Sequence, residues 1–115
     1  MRELLKSKIH RAHITGTNPE YIGSITIDMD LMDKAGIIPY EKVLIADATN
    51  GNRWETYAIK GEACSGLIEV QGAGAMICKP GDVVIILAFE ITDEPFKPKM
   101  ILVDEKNKFL KYFDE

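Results

Sequence analysis

Asn50-Gly51 lies between two runs, Lys42–Ala48 and Arg53–Ile59, that are rich in apolar, β-branched and aromatic residues. Asn-Gly is the strongest short-range hairpin signal, because a tight turn matched to strand twist needs φ > 0 at its centre. The same pattern of short strand and sharp turn recurs along the chain. Alternation over Ile9–Thr15 predicts a strand from about Leu4 to Thr15, and Thr17-Asn18-Pro19-Glu20 reads as a turn. Ile25-Thr26-Ile27 and Leu67–Val70 read as short strands, and Lys79-Pro80-Gly81-Asp82 turns into an apolar strand over Val83–Glu90. Gly61–Ser65 reads as a loop or one helical turn, and Gln71–Ala75 as a small-residue loop. Met100–Val103 reads as an edge strand followed by a charged tail. The helical exception is Asp28–Lys34, with Asp28 as N-cap, Gly36 as C-cap and Pro39 beyond. Six or seven short strands with one or two short helices predict a mainly β chain, closed into a small barrel because closure removes exposed edges.

At 115 residues the chain is expected to form one domain with a lean core. A formal net charge of −4 argues against a general nucleic-acid or anionic-membrane binder, which would carry a basic face. The basic N-terminal stretch, with Arg2, Lys6, Lys8 and Arg11, lacks the apolar run that a signal peptide needs. The longest apolar run, Val83–Phe89, is too short to span a bilayer, so a cytoplasmic protein is expected. Cys64 and Cys78 are not a CxxC pair and are expected as free, partly buried thiols. His10 and His13 share a strand at a spacing that points them to opposite faces, so no metal site is expected.

One dipeptide offers chemistry of its own. In Tyr21-Ile22-Gly23-Ser24-Ile25-Thr26-Ile27-Asp28, a serine follows a glycine. The glycine lets the backbone strain and its carbonyl be approached closely. Attack of the Ser24 hydroxyl on the Gly23 carbonyl would convert amide to ester. Elimination would then cut the chain and leave dehydroalanine, which hydrolyses to a pyruvoyl group. The ordinary reading of Gly-Ser between apolar segments is a turn or bulge.

Several segments in order decide between these readings. Lys8-Ile9-His10-Arg11, Tyr21–Asp28, Ala35-Gly36-Ile37, Thr49-Asn50-Gly51 with Arg53, Thr56-Tyr57-Ala58-Ile59, Gly72-Ala73 and Pro80–Ile86 together resemble the pyruvoyl-dependent aspartate 1-decarboxylase family. The resemblance runs from about Leu4 to Phe89 and fades in the tail after Thr92. It implies a six-stranded double-psi β-barrel, a homotetramer with active sites between subunits, and cleavage into residues 1–23 and 24–115. It also implies decarboxylation of L-aspartate to β-alanine for pantothenate synthesis. The pyruvoyl ketone would form a Schiff base with substrate and act as electron sink, as pyridoxal phosphate does elsewhere. Neither pyridoxal phosphate nor a metal is then expected.

By the same resemblance, Ser24 is the precursor of the cofactor and Tyr57 the proton donor to the carbanion. Thr56 contacts substrate and helps hold the cleavage site. Arg53 and Lys8 meet a substrate carboxylate, which suits a bidentate guanidinium. His10 and Tyr21 line the pocket, and Gly72-Ala73-Gly74 bring backbone N–H groups to substrate. From the residues alone these are a packed aromatic, a β-former, surface charges, core or interface residues, and a tight turn. Thr56 and Tyr57 are neighbours on a strand, so they share a site only at a strand end, a bend or an interface. Three positions depart from the family pattern: Gln71 where asparagine is usual, Gly74 where alanine is usual, and Ala46 where some relatives have tryptophan. Two alternatives stay open, a pyruvoyl decarboxylase of another acidic amino acid such as glutamate, and an unprocessed barrel that binds a ligand or partner. Whether a partner assists maturation also stays open.

Overall fold

The computed structural model describes residues 1–115 as nine strands, one α-helix and one 3-10 turn. The strands are β1 (Arg2–His13), β2 (Gly16–Asn18), β3 (Ser24–Asp28), β4 (Lys42–Asp47), β5 (Arg53–Gly61), β6 (Ile68–Gln71), β7 (Val83–Thr92), β8 (Lys99–Val103) and β9 (Phe109–Tyr112). Helix α1 spans Met29–Ala35, and the 3-10 turn spans Gly72–Met76. The chain is mainly β with one short helix, as expected, and has nine strands where the sequence reads as six or seven. They lie in the order β2-β6-β3-β5-β4-β7-β1-β8-β9. None of the helices is long and apolar enough to cross a membrane.

Period-two burial writes this sheet. In β4, Val43, Ile45 and Asp47 point inward, and in β7 Val84, Ile86 and Ala88 do. β3 is buried at every residue, and β6 and β5 pair with its two edges. Ile9, Ile25, Ile27, Ile45, Ile68 and Ile86 form the centre of one core. Stiff β-branched side chains suit a pleated, close-packed interior.

The two ends of the strand order are stitched together. β1 runs directly into β2, and the link donates backbone N–H groups from Ile14 to Asp82 O and from Thr15 to Ile68 O. Asn107 bridges from the other end. Its Nδ2 donates to His13 O and Gly66 O, both at 2.8 Å, and its Oδ1 accepts from His13 N at 2.7 Å.

Several boundaries differ from the sequence reading, each for a tertiary reason. Thr17 and Asn18 are strand rather than turn, because they pair in parallel with β6, and the turn keeps Pro19 and Glu20. β8 is interior rather than an edge, lying between β1 and β9. The charged tail contains β9, which packs Phe109 against the core and whose Tyr112 hydroxyl donates to Lys34 O. Cys64 is exposed and Cys78 half-buried, both as free thiols. The helix matches its signals. Asp28 accepts from Asp30 N at 2.8 Å as N-cap, a contact of about 1 kcal/mol. Gly36 closes the helix in the left-handed region. The same Asp28 carboxylate accepts from Cys64 N and Gly66 N, tying the 61–66 loop to the end of β3.

Candidate active site

β3 and β6 run antiparallel with Ser24 opposite Gln71 and Thr26 opposite Glu69. β6 ends one residue later than its apolar run suggests, and that residue is Gln71. Residues two apart on each strand share a face, so these four polar side chains lie together at the end of the ladder. Ser24 Oγ donates to Gln71 Oε1 at 2.6 Å, and Thr26 Oγ1 donates to the same oxygen at 3.2 Å. Gln71 Nε2 donates to Glu69 Oε1 at 2.9 Å. Ser24, Thr26 and Gln71 are buried.

The backbone at this point is strained. Gly23 has φ of 108° and Ser24 has φ of 113°. For serine this lies in a region that glycine alone occupies readily, and such residues cost about 1–3 kcal/mol each. The surroundings hold it there. Gly72, itself at φ of 76°, packs so closely that a Cβ on it would lie 2.6 Å from Gly23 Cα. No larger residue fits at 72 without moving the Gly23-Ser24 segment.

An open cleft of about 350 Å³ lies over this segment. Ser24, Thr56, Tyr57, Gln71, Ala73 and Gly74 all line it. The two neighbours on β5 share the cleft because the strand changes partner there. Arg53–Tyr57 pair with β4, and Ala58–Gly61 pair with β3. Tyr57 stands at the rim with its ring stacked 6.3 Å from Tyr40. Trp54 also lines the cleft, and its indole Nε1 lies 2.6 Å from where a Cβ on Gly74 would sit. The glycine at 74 thus makes room for the tryptophan at 54. Neither Trp54 nor Glu69 stands out in the sequence as a site residue. The signal for Glu69 was present, since Glu69-Val70-Gln71 places both polar ends on one face.

Other residues expected at the site lie elsewhere in the single chain. Arg53 is exposed at the start of β5, opposite Ala46, and does not line the cleft. Tyr21 is half exposed, and only its carbonyl approaches Gly72. Lys8 and His10 are on β1 under the C-terminal segment. Lys8 Nζ meets Glu115 Oε1 at 3.0 Å and lies 5.9 Å above the Phe113 ring. The same ring is 5.8 Å from His10. Burial pushes the His10 pKa down, and the positive charges of Lys8 and Arg11 push it further the same way.

The sequence that builds this site is similar to known proteins over nearly its whole length. A family model described as "Aspartate decarboxylase" matches residues 1–110. The chain belongs to that family. Aspartate 1-decarboxylase of Acetivibrio thermocellus is 53% identical over 93% of this chain and 88% of its own length. The Clostridium botulinum enzyme of the same name is 53% identical over 94% of this chain and 88% of its own. That of Thermoanaerobacter pseudethanolicus is 50% identical over 93% and 95%. Membership makes the chain a decarboxylase, a carbon–carbon lyase.

Proposed function

We propose that this chain cleaves itself between Gly23 and Ser24 and then decarboxylates L-aspartate to β-alanine, which serves pantothenate synthesis. The observation that carries this reading is Ser24 itself. It is a buried serine in a glycine-type conformation, with its hydroxyl proton directed at Gln71 Oε1. The strain sits on the peptide that is to break, and scission of that peptide releases it.

The cleavage balances as follows. Ser24 Oγ bonds to the Gly23 carbonyl carbon, the Gly23–Ser24 C–N bond breaks, and the hydroxyl proton ends on the freed nitrogen. Loss of the Ser24 Cα proton to water then expels Gly23 as a carboxylate. The remaining dehydroalanine takes up water and releases ammonia, leaving a ketone at residue 24. The site fits a group made in place, since Gly72 leaves no side chain beside Gly23 and the cleft opens over Ser24. A pyruvoyl ketone supplies the sink for the electrons left when carbon dioxide departs.

The residues of the chain then divide the work. The Tyr57 hydroxyl, at the rim of the cleft, delivers a proton to the substrate α-carbon. Thr56 and the backbone of Ala73 and Gly74 hold the substrate against Ser24. Arg53 and Lys8 meet its carboxylates, with His10 beside Lys8. Lys8 and His10 lie outside the cleft of their own chain, and that cleft has an exposed apolar rim at Ile22, Tyr57 and Ile77. A second copy closing over the rim completes the site, in keeping with a homotetramer.

Denaturing intact-mass spectrometry tests this. Two fragments split after Gly23 are expected, the larger lighter than a serine-started chain by the mass of ammonia. Ser24→Ala should give one intact chain and no β-alanine from L-aspartate. A cleaved or active Ser24→Ala protein would sink the mechanism, and a wild-type chain that never cleaves would leave a ligand-binding barrel.

A further inference from the structure

We propose that Glu69 is a positioning residue for self-cleavage and acts solely through the Gln71 amide. This rests on the self-cleavage reading above. A glutamine amide has two ends of similar shape and opposite polarity. At Gln71 one end faces the hydroxyls of Ser24 and Thr26, and the other faces a Glu69 oxygen at 2.9 Å. Hydroxyls donate or accept equally well, so they do not decide which end they meet. A carboxylate only accepts. It fixes Nε2 on its own side and leaves Oε1 for the two hydroxyls.

The consequence falls on Ser24. With Oε1 toward it, the hydroxyl donates its proton to Gln71 and keeps its lone pairs for the Gly23 carbonyl. With the amide reversed, Nε2 would donate into one of those lone pairs and weaken the nucleophile. Glu69 thus sets the direction of hydrogen bonding through the network while touching none of the reacting atoms. Its own position is narrow. β2 places Gly16 opposite it, and a Cβ on Gly16 would come within 3.2 Å of Glu69 Oε2. The device is particular to this pairing of residues, since Gln71 stands where asparagine is usual.

A double-mutant cycle on the full chain reads this out. Glu69→Met, Glu69→Gln, Gln71→Met and the double Met variant are purified promptly, and cleavage is followed by intact mass. Thermal melting is recorded for each, with Glu69→Ala as a second apolar variant should the methionine not fold. Glu69→Gln should cleave within about twofold of wild type, because its amide carbonyl still accepts from Gln71. Glu69→Met should be slower by about tenfold. The double variant should be no slower than Gln71→Met alone. Wild-type cleavage in Glu69→Met, or Glu69→Gln as slow as Glu69→Met, would overturn the proposal. So would a double variant slowed by the product of the single effects, which marks a merely structural contribution. If the wild-type chain itself stays intact, the self-cleavage reading fails and this one with it. If it cleaves and Glu69 is indifferent, this one alone fails.

Discussion

Replacing Gly74 with alanine is a small change with a sign that depends on Trp54. The new Cβ would sit 2.6 Å from the indole Nε1, where ordinary contact begins at 3.4 Å, so the ring must retreat by about 0.8 Å. Its nearest atoms belong to a rigid ring rather than the end of a flexible chain. Overpacking of this kind costs about 1–3 kcal/mol. Alanine recovers about 0.4–1 kcal/mol by restricting the unfolded chain, because Gly74 is not held in the left-handed region. The net loss is about 1–2 kcal/mol, or roughly 4–8 °C in Tm for a chain of this length. In a Trp54→Phe background the clashing edge of the ring is gone. There Gly74→Ala should be neutral or stabilising by up to about 1 kcal/mol. Thermal unfolding at one protein concentration measures all four chains. Trp54 is the only tryptophan, so its fluorescence reports the displacement directly. Gly74→Ala should shift its emission to the red as the indole moves toward solvent. Unchanged emission with additive effects on Tm would refute the steric coupling between residues 54 and 74.

Tyr57→Phe should still cleave, because the Tyr57 hydroxyl makes no hydrogen bond to Ser24 or Gln71, yet it should lose most β-alanine formation. Near-normal turnover would remove Tyr57 from the proton-donor role. Asp47 gives a pH dependence. Burial raises its carboxyl above the usual 3.8, and the negative charge of the nearby Asp82 carboxylate adds to the rise. The folded state therefore keeps a proton that the unfolded chain has released, and stability falls as pH rises through that window. Asp47→Asn retains an oxygen for Thr49 N and Asn50 N, which the aspartate now accepts at 2.8 and 3.3 Å. Urea midpoints measured from acid to neutral pH should fall less in Asp47→Asn than in wild type. Parallel curves would show that Asp47 does not titrate across folding.

The strand content was legible because local signals agreed with the tertiary outcome. Asp28 and Gly36 bound the helix as their chemistry requires, and the apolar runs that carry Val43, Ile45, Val84 and Ile86 form strands as read. What misled was the ends of the sheet. Thr17 and Asn18 have turn composition, and pairing with β6 makes them strand. The tail from Thr92 onward is charged on its exposed side, so β8 lying between two strands was hidden by the polar residues around it. Partner choice across a sheet is a long-range property that local composition does not encode.

The site shows the same division with one residue as the hinge. Gly23 and Ser24 could be named from their own chemistry, whereas Thr56 and Tyr57 could be named only through the family resemblance. Gln71 looked like a weak point as long as it belonged to a loop with Gly72 and Ala73. Moving the end of β6 by one residue puts it in a ladder, and period two then aims it at Ser24 with Glu69 behind it. The longer side chain reaches the serine hydroxyl at hydrogen-bond distance and has its own acceptor to orient it. Gly74 follows the same logic, since its lack of a side chain is explained by a tryptophan twenty residues earlier in the chain. Gln71 and Gly74 are each half of a pair, with Glu69 and with Trp54, and the other half becomes visible only when the strands are laid side by side.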